Sequence, residues 1–230
     1  MTLEIIKRSK PKIPWSTKAC IIFSIFCLLI GSAIFIVAYI SMSKNILLDQ
    51  YNQPLLSWLV EHRKTQITYA LSIVTTFAGS FYLSSLVGAI AIIWALIKRE
   101  IWRPALLVGA ISICPIISSV TKTIVQNTRP DQLNMIQPFE LDYSFPSGHT
   151  LGIIVLLLVL GYLIISRHTS DFRITVWLII TVALTALIAF SRLYLGYHWL
   201  TDVVASIGLG FIILSLAIVA DRFFIHIFKN

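Results

Sequence analysis

Charged residues are scarce in this sequence. Asp, Glu, Lys and Arg together make up only 12% of its 230 residues, whereas a soluble domain contains roughly 25%. Hydrophobic residues make up 57% and occur in long runs. These features exclude an ordinary soluble domain and indicate an integral membrane protein.

Acidic residues are the scarcer kind of charge, with 10 of them against 18 Lys and Arg and a formal net charge of +8. In a soluble protein this excess would suggest nucleic-acid binding, but in a membrane protein it is typical of cytoplasmic loops. We therefore expect no nucleic-acid partner. Cysteine is also rare. Cys20, Cys27 and Cys114 lie inside apolar runs without metal-ligand spacing, so we interpret them as small core residues.

Six apolar runs approach the roughly 20 residues that a membrane-spanning helix needs. The predicted spans are residues 19–40, 80–97, 103–124, 149–166, 173–193 and 200–221. The first is longer than the apolar core of a signal peptide, which predicts a retained span. The segment 46–60, interrupted by Pro54, predicts a short interfacial helix, and Gly79 predicts a break before the second span. We expect an all-α integral membrane protein in which 1–230 form a single six-helix transmembrane domain.

The basic segments predict the orientation of these spans. Besides the basic N-terminus, the basic segments are residues 98–103, 167–173 and 221–230. Because cytoplasmic loops collect Lys and Arg, we expect both termini in the cytoplasm. The interfacial helix and the remaining loops are then extracytoplasmic, namely residues 41–79, 125–148 and 194–199.

Three polar segments fall on that outer side. In "KTIVQNTRP", residues 122–130, Lys122 and Arg129 are two helical turns apart, which predicts that both point the same way at the end of the third span. "PSGH", residues 146–149, begins the fourth span. In "SRLYLGYHWLTD", residues 191–202, the spacing of His198 and Asp202 places them on one face of a helical turn.

Each segment has a structural alternative. Lys and Arg at the end of a span often reach lipid headgroups, Ser147 and Gly148 are typical of a helix cap and a turn, and a lone interfacial histidine is more often structural than catalytic. Asp202 is the least easily explained in this way, because an ionisable residue inside a span is usually functional. Convergence of all these groups on one face favours a site.

The chemistry of this site follows from its charge. Lys122, Arg129 and Arg192 have no matching acids near them in the sequence, which predicts an anion site. The Ser147 hydroxyl and the backbone N–H groups of Gly148 and His149 add donors at a helix start, and a phosphate fits such a cradle. We expect no metal, because the outer-loop acids are scattered, namely Asp131, Glu140 and Asp142.

Two histidines in such a cradle indicate two roles. Asp202 would orient His198 and leave its other ring nitrogen free to attack phosphorus. His149, which has no evident acid partner, suits the general acid that protonates the leaving oxygen and then activates water. The predicted reaction is hydrolysis of a phosphate ester or anhydride through a phosphohistidine.

The three segments resemble the signature motifs K-x6-RP, PSGH and SR-x5-H-x3-D of the type-2 phosphatidic acid phosphatase superfamily, in particular its bacterial membrane branch of phosphatidylglycerophosphatase B and undecaprenyl-diphosphatase-like enzymes. The resemblance implies catalysis by His198, His149 and Asp202. It also implies phosphate binding by a second set of residues, namely Lys122, Arg129, Ser147, Gly148 and Arg192. Turnover without a metal or other cofactor is implied too.

The resemblance further implies a lipid phosphate substrate in a bilayer, the plasma or inner membrane of a bacterium, and no obligate protein partner. Phosphatidylglycerophosphate, undecaprenyl diphosphate, phosphatidate and lipid A phosphates all satisfy the site. A lipid-to-lipid phosphotransferase would use the same residues. Soluble vanadium-dependent haloperoxidases share the motifs, but six spans argue against them. A lipid-binding or transport protein would have no use for the histidine–aspartate set.

Overall fold

The computed structural model describes residues 16–166 and 171–229, and within these ranges the regular structure is helical throughout. Its α-helices are α1 (Thr17–Lys44), α2 (Asn52–Glu61), α3 (Thr65–Phe77), α4 (Ser80–Lys98), α5 (Trp102–Val125), α6 (Gly148–Ile165), α7 (Asp171–Tyr194) and α8 (Leu200–Lys229). Six of them, α1 and α4 to α8, are long and apolar enough to cross a membrane. The predicted all-α fold with six spans is confirmed, and the chain is a multi-pass membrane protein.

The predicted spans agree with these helices to within a few residues, except at two ends. Helix α1 continues to Lys44, and α8 continues to Lys229 through the segment that the sequence predicted as a tail. Most of the basic N-terminal residues and most of the 167–173 linker lie outside the described residues. The predicted orientation therefore stays a prediction.

Helices α6 and α8 form the centre of the bundle. In each of them 61% of the apolar stretch is buried, against 33% or less in the other four spanning helices. Helix α8 packs closely along α1, where Gly31 and Gly208 face each other. A Cβ atom added to Gly31 would lie 2.6 Å from the Gly208 carbonyl oxygen. Small residues at such a crossing let two backbones approach, which is how helices commonly associate in membranes.

The predicted core role of the cysteines is confirmed, because Cys20, Cys27 and Cys114 all lie in the main hydrophobic core. Most of this core comes from α6 and α8, with contributions from α1, α4 and α5. This core holds α5, α6 and α8, three of the four helices whose ends carry the polar segments.

The segment between α1 and α4 contains two short helices. The predicted interfacial helix corresponds to α2. Pro54 occupies its first turn, where a missing N–H is tolerated, so the expectation that Pro54 interrupts the segment was wrong. Helix α3 has 13 residues and is too short to cross a bilayer. Gly79 separates it from α4 as predicted, with an extended ψ of 151° at the cap position.

Candidate active site

The C-terminal ends of α5 and α7 and the N-terminal ends of α6 and α8 meet at one end of the bundle. Four predicted site residues line a cavity of about 410 Å³ there, namely Lys122, Gly148, His149 and His198. Arg129 lines a neighbouring cavity of about 500 Å³. Three others are buried beside these cavities, namely Ser147, Arg192 and Asp202. The structure therefore gathers all the predicted site residues into one region.

His198 and Asp202 make the contact that their spacing predicted. His198 lies just before α8, and its Nδ1–H donates to Oδ2 of Asp202 at 3.1 Å. The same oxygen accepts the backbone N–H of Trp199 at 2.9 Å. On the other side of the carboxylate, Oδ1 accepts from the Asn127 amide and the Ser144 hydroxyl, each at 3.4 Å. Four donors thus fix the carboxylate that orients the His198 ring.

The second ring nitrogen of His198 faces the cations. Its Nε2 lies 3.3 Å from Nη1 of Arg129, and because a guanidinium can only donate, this nitrogen is the acceptor. Burial lowers the pKa of His198 well below its ordinary value, and the nearby charges of Arg129, Arg192 and Lys122 lower it further. The ring is therefore neutral, with an unprotonated nitrogen directed toward the positive cluster.

His149 is the second residue of α6 and lines the cavity of about 410 Å³ together with His198. The start of α4 packs against it, since a Cβ atom added to Gly79 would lie 3.5 Å from Nε2 of His149. A histidine at this position can reach a group that is bound against His198. The structure thus brings both histidines to the same cavity from different helices.

Ser147 and Gly148 play different parts at the start of α6. The fully buried Ser147 hydroxyl is 3.0 Å from the Thr150 hydroxyl and accepts the Thr150 N–H at 3.5 Å. This is a helix N-cap, which was the structural alternative for Ser147. Gly148 instead lines the cavity.

The expectation that Lys122 and Arg129 share a helical face was wrong. Helix α5 ends at Val125, and Gln126 adopts a left-handed conformation with φ of 54°. Arg129 therefore lies in the loop that follows, four residues beyond the helix. It reaches the site because Nη1 donates to the Tyr197 carbonyl at 2.5 Å and Nε donates to the Asp142 carbonyl at 2.8 Å.

The expectation that the cations lack acidic partners was also wrong. Asp142 binds Nζ of Lys122 at 2.5 Å and Nη2 of Arg129 at 2.6 Å. Glu140 binds the same Arg129 nitrogen at 2.7 Å and also pairs with Arg192. The sequence interpretation treated both acids as scattered outer-loop residues and did not pair them with the cations, because loop residues show no periodicity from which contacts can be predicted. The available signal was that Glu140 and Asp142, separated by a single residue, lie shortly before the "PSGH" segment.

Both carboxyl groups are ionised. Burial raises the pKa of Glu140, but the guanidinium groups of Arg192 and Arg129 outweigh it, so the net shift is downward. For Asp142, burial likewise raises the pKa, and the hydrogen bonds and charges of Lys122 and Arg129 outweigh it. The cations and the two loop acids therefore form one connected ionic network.

Arg192 lies at the base of this network. Its side chain is buried, Nη1 donates to the Thr75 hydroxyl at 3.1 Å, and the guanidinium carbon lies 4.2 Å from the centre of the Tyr197 ring. Its Nε has no partner among the described residues. Helix α3, which provides Thr75, is thus part of the site, although no motif or spacing in the sequence indicated this.

The α2–α3 corner also supports the site. Arg63 donates to the Tyr194 carbonyl at 2.9 Å and to the Asn134 carbonyl at 2.6 Å. Between them, Gly196 has φ of +80°, and a Cβ atom there would lie 2.1 Å from the Asn134 carbonyl oxygen. These contacts hold the loop that leads to His198, and only glycine fits at position 196.

The sequence model of the PAP2 superfamily matches residues 103–224, more than half of the chain. The chain belongs to the PAP2 superfamily. This is the type-2 phosphatidic acid phosphatase family that the three motifs resemble, and the matched region contains all of them. Among the part of the chain that the structure describes, no group of three or more His, Cys, Asp or Glu side chains is arranged to hold a metal ion.

Individual PAP2 proteins show similarity over about half of the chain. Phosphatidylglycerophosphatase B of Bacillus subtilis is 28% identical over 51% of this chain and 58% of its own length. An undecaprenyl-diphosphatase of Sulfolobus acidocaldarius is 32% identical over 45% of this chain and 48% of its own length. The alignments thus span about half the length of these relatives.

A solved structure shows the same fold over a larger region. The transmembrane PAP2 type phosphatidylglycerolphosphate phosphatase from Bacillus subtilis has a TM-score of 0.69, with 21% identity, covering 90% of this chain and 96% of its own. At this level of identity the likeness establishes the fold alone.

Proposed function

We propose that this PAP2 protein is a metal-independent lipid phosphatase that acts through a phosphohistidine at His198. Its substrate is a lipid phosphomonoester or diphosphate presented at the extracytoplasmic face, and 1–230 act as one phosphatase domain. The observation that carries the proposal is the geometry of His198, whose Nδ1 is held by Asp202 and whose Nε2 faces Arg129. A neutral imidazole with its free nitrogen directed at a cationic cradle is arranged for attack on a bound phosphate.

The first chemical step forms the covalent intermediate. Nε2 of His198 attacks phosphorus, the bond from phosphorus to the leaving oxygen breaks, and His149 donates a proton to that oxygen. Lys122, Arg129 and Arg192 stabilise the charge on the remaining phosphate oxygens, together with the N–H groups at the start of α6. Asp202 stabilises the positive charge that develops on the His198 ring.

The second step releases phosphate. His149, now unprotonated, takes a proton from water, and the resulting oxygen nucleophile attacks the phosphohistidine. The phosphorus–nitrogen bond breaks, so that His198 returns to its neutral form and His149 is protonated again. Both histidines then stand as they did at the start of the cycle.

The lining of the cavity that contains His149 and His198 supports a lipid substrate. Besides the histidines, its wall includes apolar side chains of α4 and α5, namely Leu83, Ile111, Cys114 and Pro115. A phosphate bound near His198 could therefore continue into an acyl or prenyl chain against these residues. The relatives named for phosphatidylglycerophosphate and undecaprenyl diphosphate supply the two substrate classes to compare.

The test is phosphate release by the detergent-purified protein in excess EDTA, from phosphatidylglycerophosphate, phosphatidate and undecaprenyl diphosphate. We expect release from at least one lipid, with retention of activity in EDTA, and an acid-labile phosphoprotein during turnover of a labelled substrate. A protein that is folded but releases no phosphate from any of these lipids would contradict the proposal. Phosphate release without a labelled intermediate would contradict the role of His198.

A further inference from the structure

The three cations of the proposed phosphate cradle are already bound by two carboxylates of the same chain. Asp142 bridges Lys122 and Arg129, and Glu140 bridges Arg129 and Arg192. Both acids belong to one loop between α5 and α6. The two carboxylates thus already neutralise two of the three positive charges that would hold a phosphate group.

The two acids also stand between the two cavities. Glu140, Asp142 and their neighbour Tyr143 line the cavity of the two histidines, and the same three residues line the cavity that contains Arg129. They therefore form a shared wall. If these carboxylates moved outward, the catalytic cavity and the Arg129 cavity would join.

The acidic and basic partners of these ion pairs differ in how exposed their side chains are. The side chains of Arg129 and Arg192 are 5% and 2% exposed, whereas those of Glu140 and Asp142 are 28% and 58% exposed. Buried guanidinium groups require an anion, because an uncompensated buried charge is strongly destabilising. Partly exposed carboxylates can instead turn to water at little cost. The cations are thus fixed, and the anions are the exchangeable half of the network.

We propose that Glu140 and Asp142 are an exchangeable carboxylate pair that occupies the phosphate cradle and selects ligands by charge. The inference rests on the proposed function, since it takes the three cations as the phosphate site. A phosphate group with two negative charges, on a monoester, at the end of a diphosphate or as free phosphate, replaces both carboxylates. A phosphodiester carries one charge and leaves a buried guanidinium uncompensated. The pair therefore excludes the diester headgroups of ordinary membrane phospholipids.

The binding experiment needs no turnover. Inorganic phosphate and dimethyl phosphate are titrated calorimetrically into purified protein, at a pH where the first is mainly a dianion and the second a monoanion. The variants are Glu140→Gln and Asp142→Asn. Asp131→Asn is the matched control, because Asp131 carries the same charge in the same loop but caps the Leu133 N–H at 2.8 Å.

We expect the wild type and Asp131→Asn to bind phosphate and not dimethyl phosphate. Each of the two variants should bind phosphate at least about tenfold more tightly, because it removes a competing negative charge, and should begin to bind dimethyl phosphate. Weaker or unchanged phosphate binding in both variants would overturn the inference, since the acids would then organise the cations rather than compete for them. Because Asp142 is the more exposed of the two acids, Asp142→Asn should disturb folding less than Glu140→Gln.

Lipid kinetics separate the two sources of phosphate. The KM for a lipid phosphomonoester should fall in the same variants, by a similar factor. Tighter binding of free phosphate without a lower KM for the lipid would overturn the role of the pair in substrate choice. It would assign the pair to product release instead. If no lipid is hydrolysed but phosphate binding tightens as expected, the proposed function fails while the exchangeable pair stands.

Discussion

Two buried groups of charged side chains lie at opposite ends of the helical bundle. One is the candidate site, with Asp202 at the start of α8. The other, which we call the distal cluster, consists of Arg103, Tyr162, Asp221 and Arg222. Asp202 and Asp221 are nineteen residues apart on one helix, which corresponds to about 28 Å at 1.5 Å per residue. That is close to the ~30 Å thickness of a bilayer hydrocarbon core.

The two ends differ in where their acids come from. In the distal cluster, the fully buried Asp221 accepts from the Tyr162 hydroxyl at 2.8 Å and from Arg103 at 3.4 Å. Asp221 itself lies in α8, and helices α6 and α5 supply Tyr162 and Arg103. In the site, a loop supplies the acids that bind the cations, and they are partly exposed. A buried arginine therefore indicates a ligand site only where the carboxylate that binds it can be displaced by a ligand.

Removal of the proposed nucleophile should produce the largest functional difference between the two ends of the bundle. His198→Ala should lower kcat by at least about 10³-fold, because removing a nucleophile removes the covalent route, while thermal unfolding in detergent changes little. Tyr162→Phe in the distal cluster is the matched control and should retain phosphate release. Comparable activity of His198→Ala and the wild type would end the assignment of the site.

The two buried aspartates of α8 should differ in whether their replacement affects mainly activity or mainly stability. Asp202→Asn should lower kcat by about 10²–10⁴-fold, since the amide favours the wrong His198 tautomer, with a smaller loss of stability. Asp221→Asn removes the buried carboxylate that binds Arg103 and should lower the free energy of unfolding by about 3–5 kcal/mol. The folded fraction of Asp221→Asn should remain active. Thermal unfolding and phosphate release per folded molecule measure both effects, and the opposite pattern would show that the distal end is the functional one.

The sequence predicted the end of the bundle that forms the site, but not how its charges are balanced. Long apolar runs and the i, i+4 spacing of His198 and Asp202 are local signals, and both led to correct expectations. Arg129 was placed on a helix because its spacing fits one, but a left-handed Gln126 ends α5 earlier. Glu140 and Thr75 meet Arg192 only through tertiary packing, which spacing along the chain does not encode.

The pH dependence provides a third, intermediate test. Burial and the surrounding cations lower the pKa of His198, so the acid limb of kcat/KM should lie below the ordinary imidazole pKa of about 6.5. Arg129→Gln removes one cation, raises the pKa of His198 and should move that limb to higher pH. The quantity to measure is the pH of the limb and not the height of the profile, because Arg129→Gln will also weaken phosphate binding and lower kcat/KM at every pH.

The same shift affects stability with a defined sign. As pH falls below the ordinary imidazole pKa, the unfolded chain binds a proton that folded His198 resists, so the protein loses stability. Arg129→Gln should reduce this loss. Lys44→Gln, at the end of α1, is the control for a general loss of positive charge. An acid limb that stays in place in Arg129→Gln would show that His198 does not set it.

The smallest effect is expected at Arg222, which resembles Arg192 in one respect. Each has a buried guanidinium nitrogen without a partner among the described residues, Nη2 in Arg222 and Nε in Arg192. Arg192 also pairs with the exchangeable Glu140, whereas Arg222 donates to the Tyr162 hydroxyl at 3.1 Å. Replacing a poorly compensated buried charge by an apolar side chain of similar length is often neutral or stabilising.

We therefore expect Arg222→Met to change the free energy of unfolding by no more than about 1 kcal/mol and to leave phosphate release intact. Thermal unfolding and activity in detergent measure both quantities on one preparation. A large loss of stability would make Arg222 an essential partner in the distal cluster. A loss of activity at unchanged stability would be more informative, because it would couple the two ends of α8. The distal cluster would then no longer serve as the inert counterpart of the site.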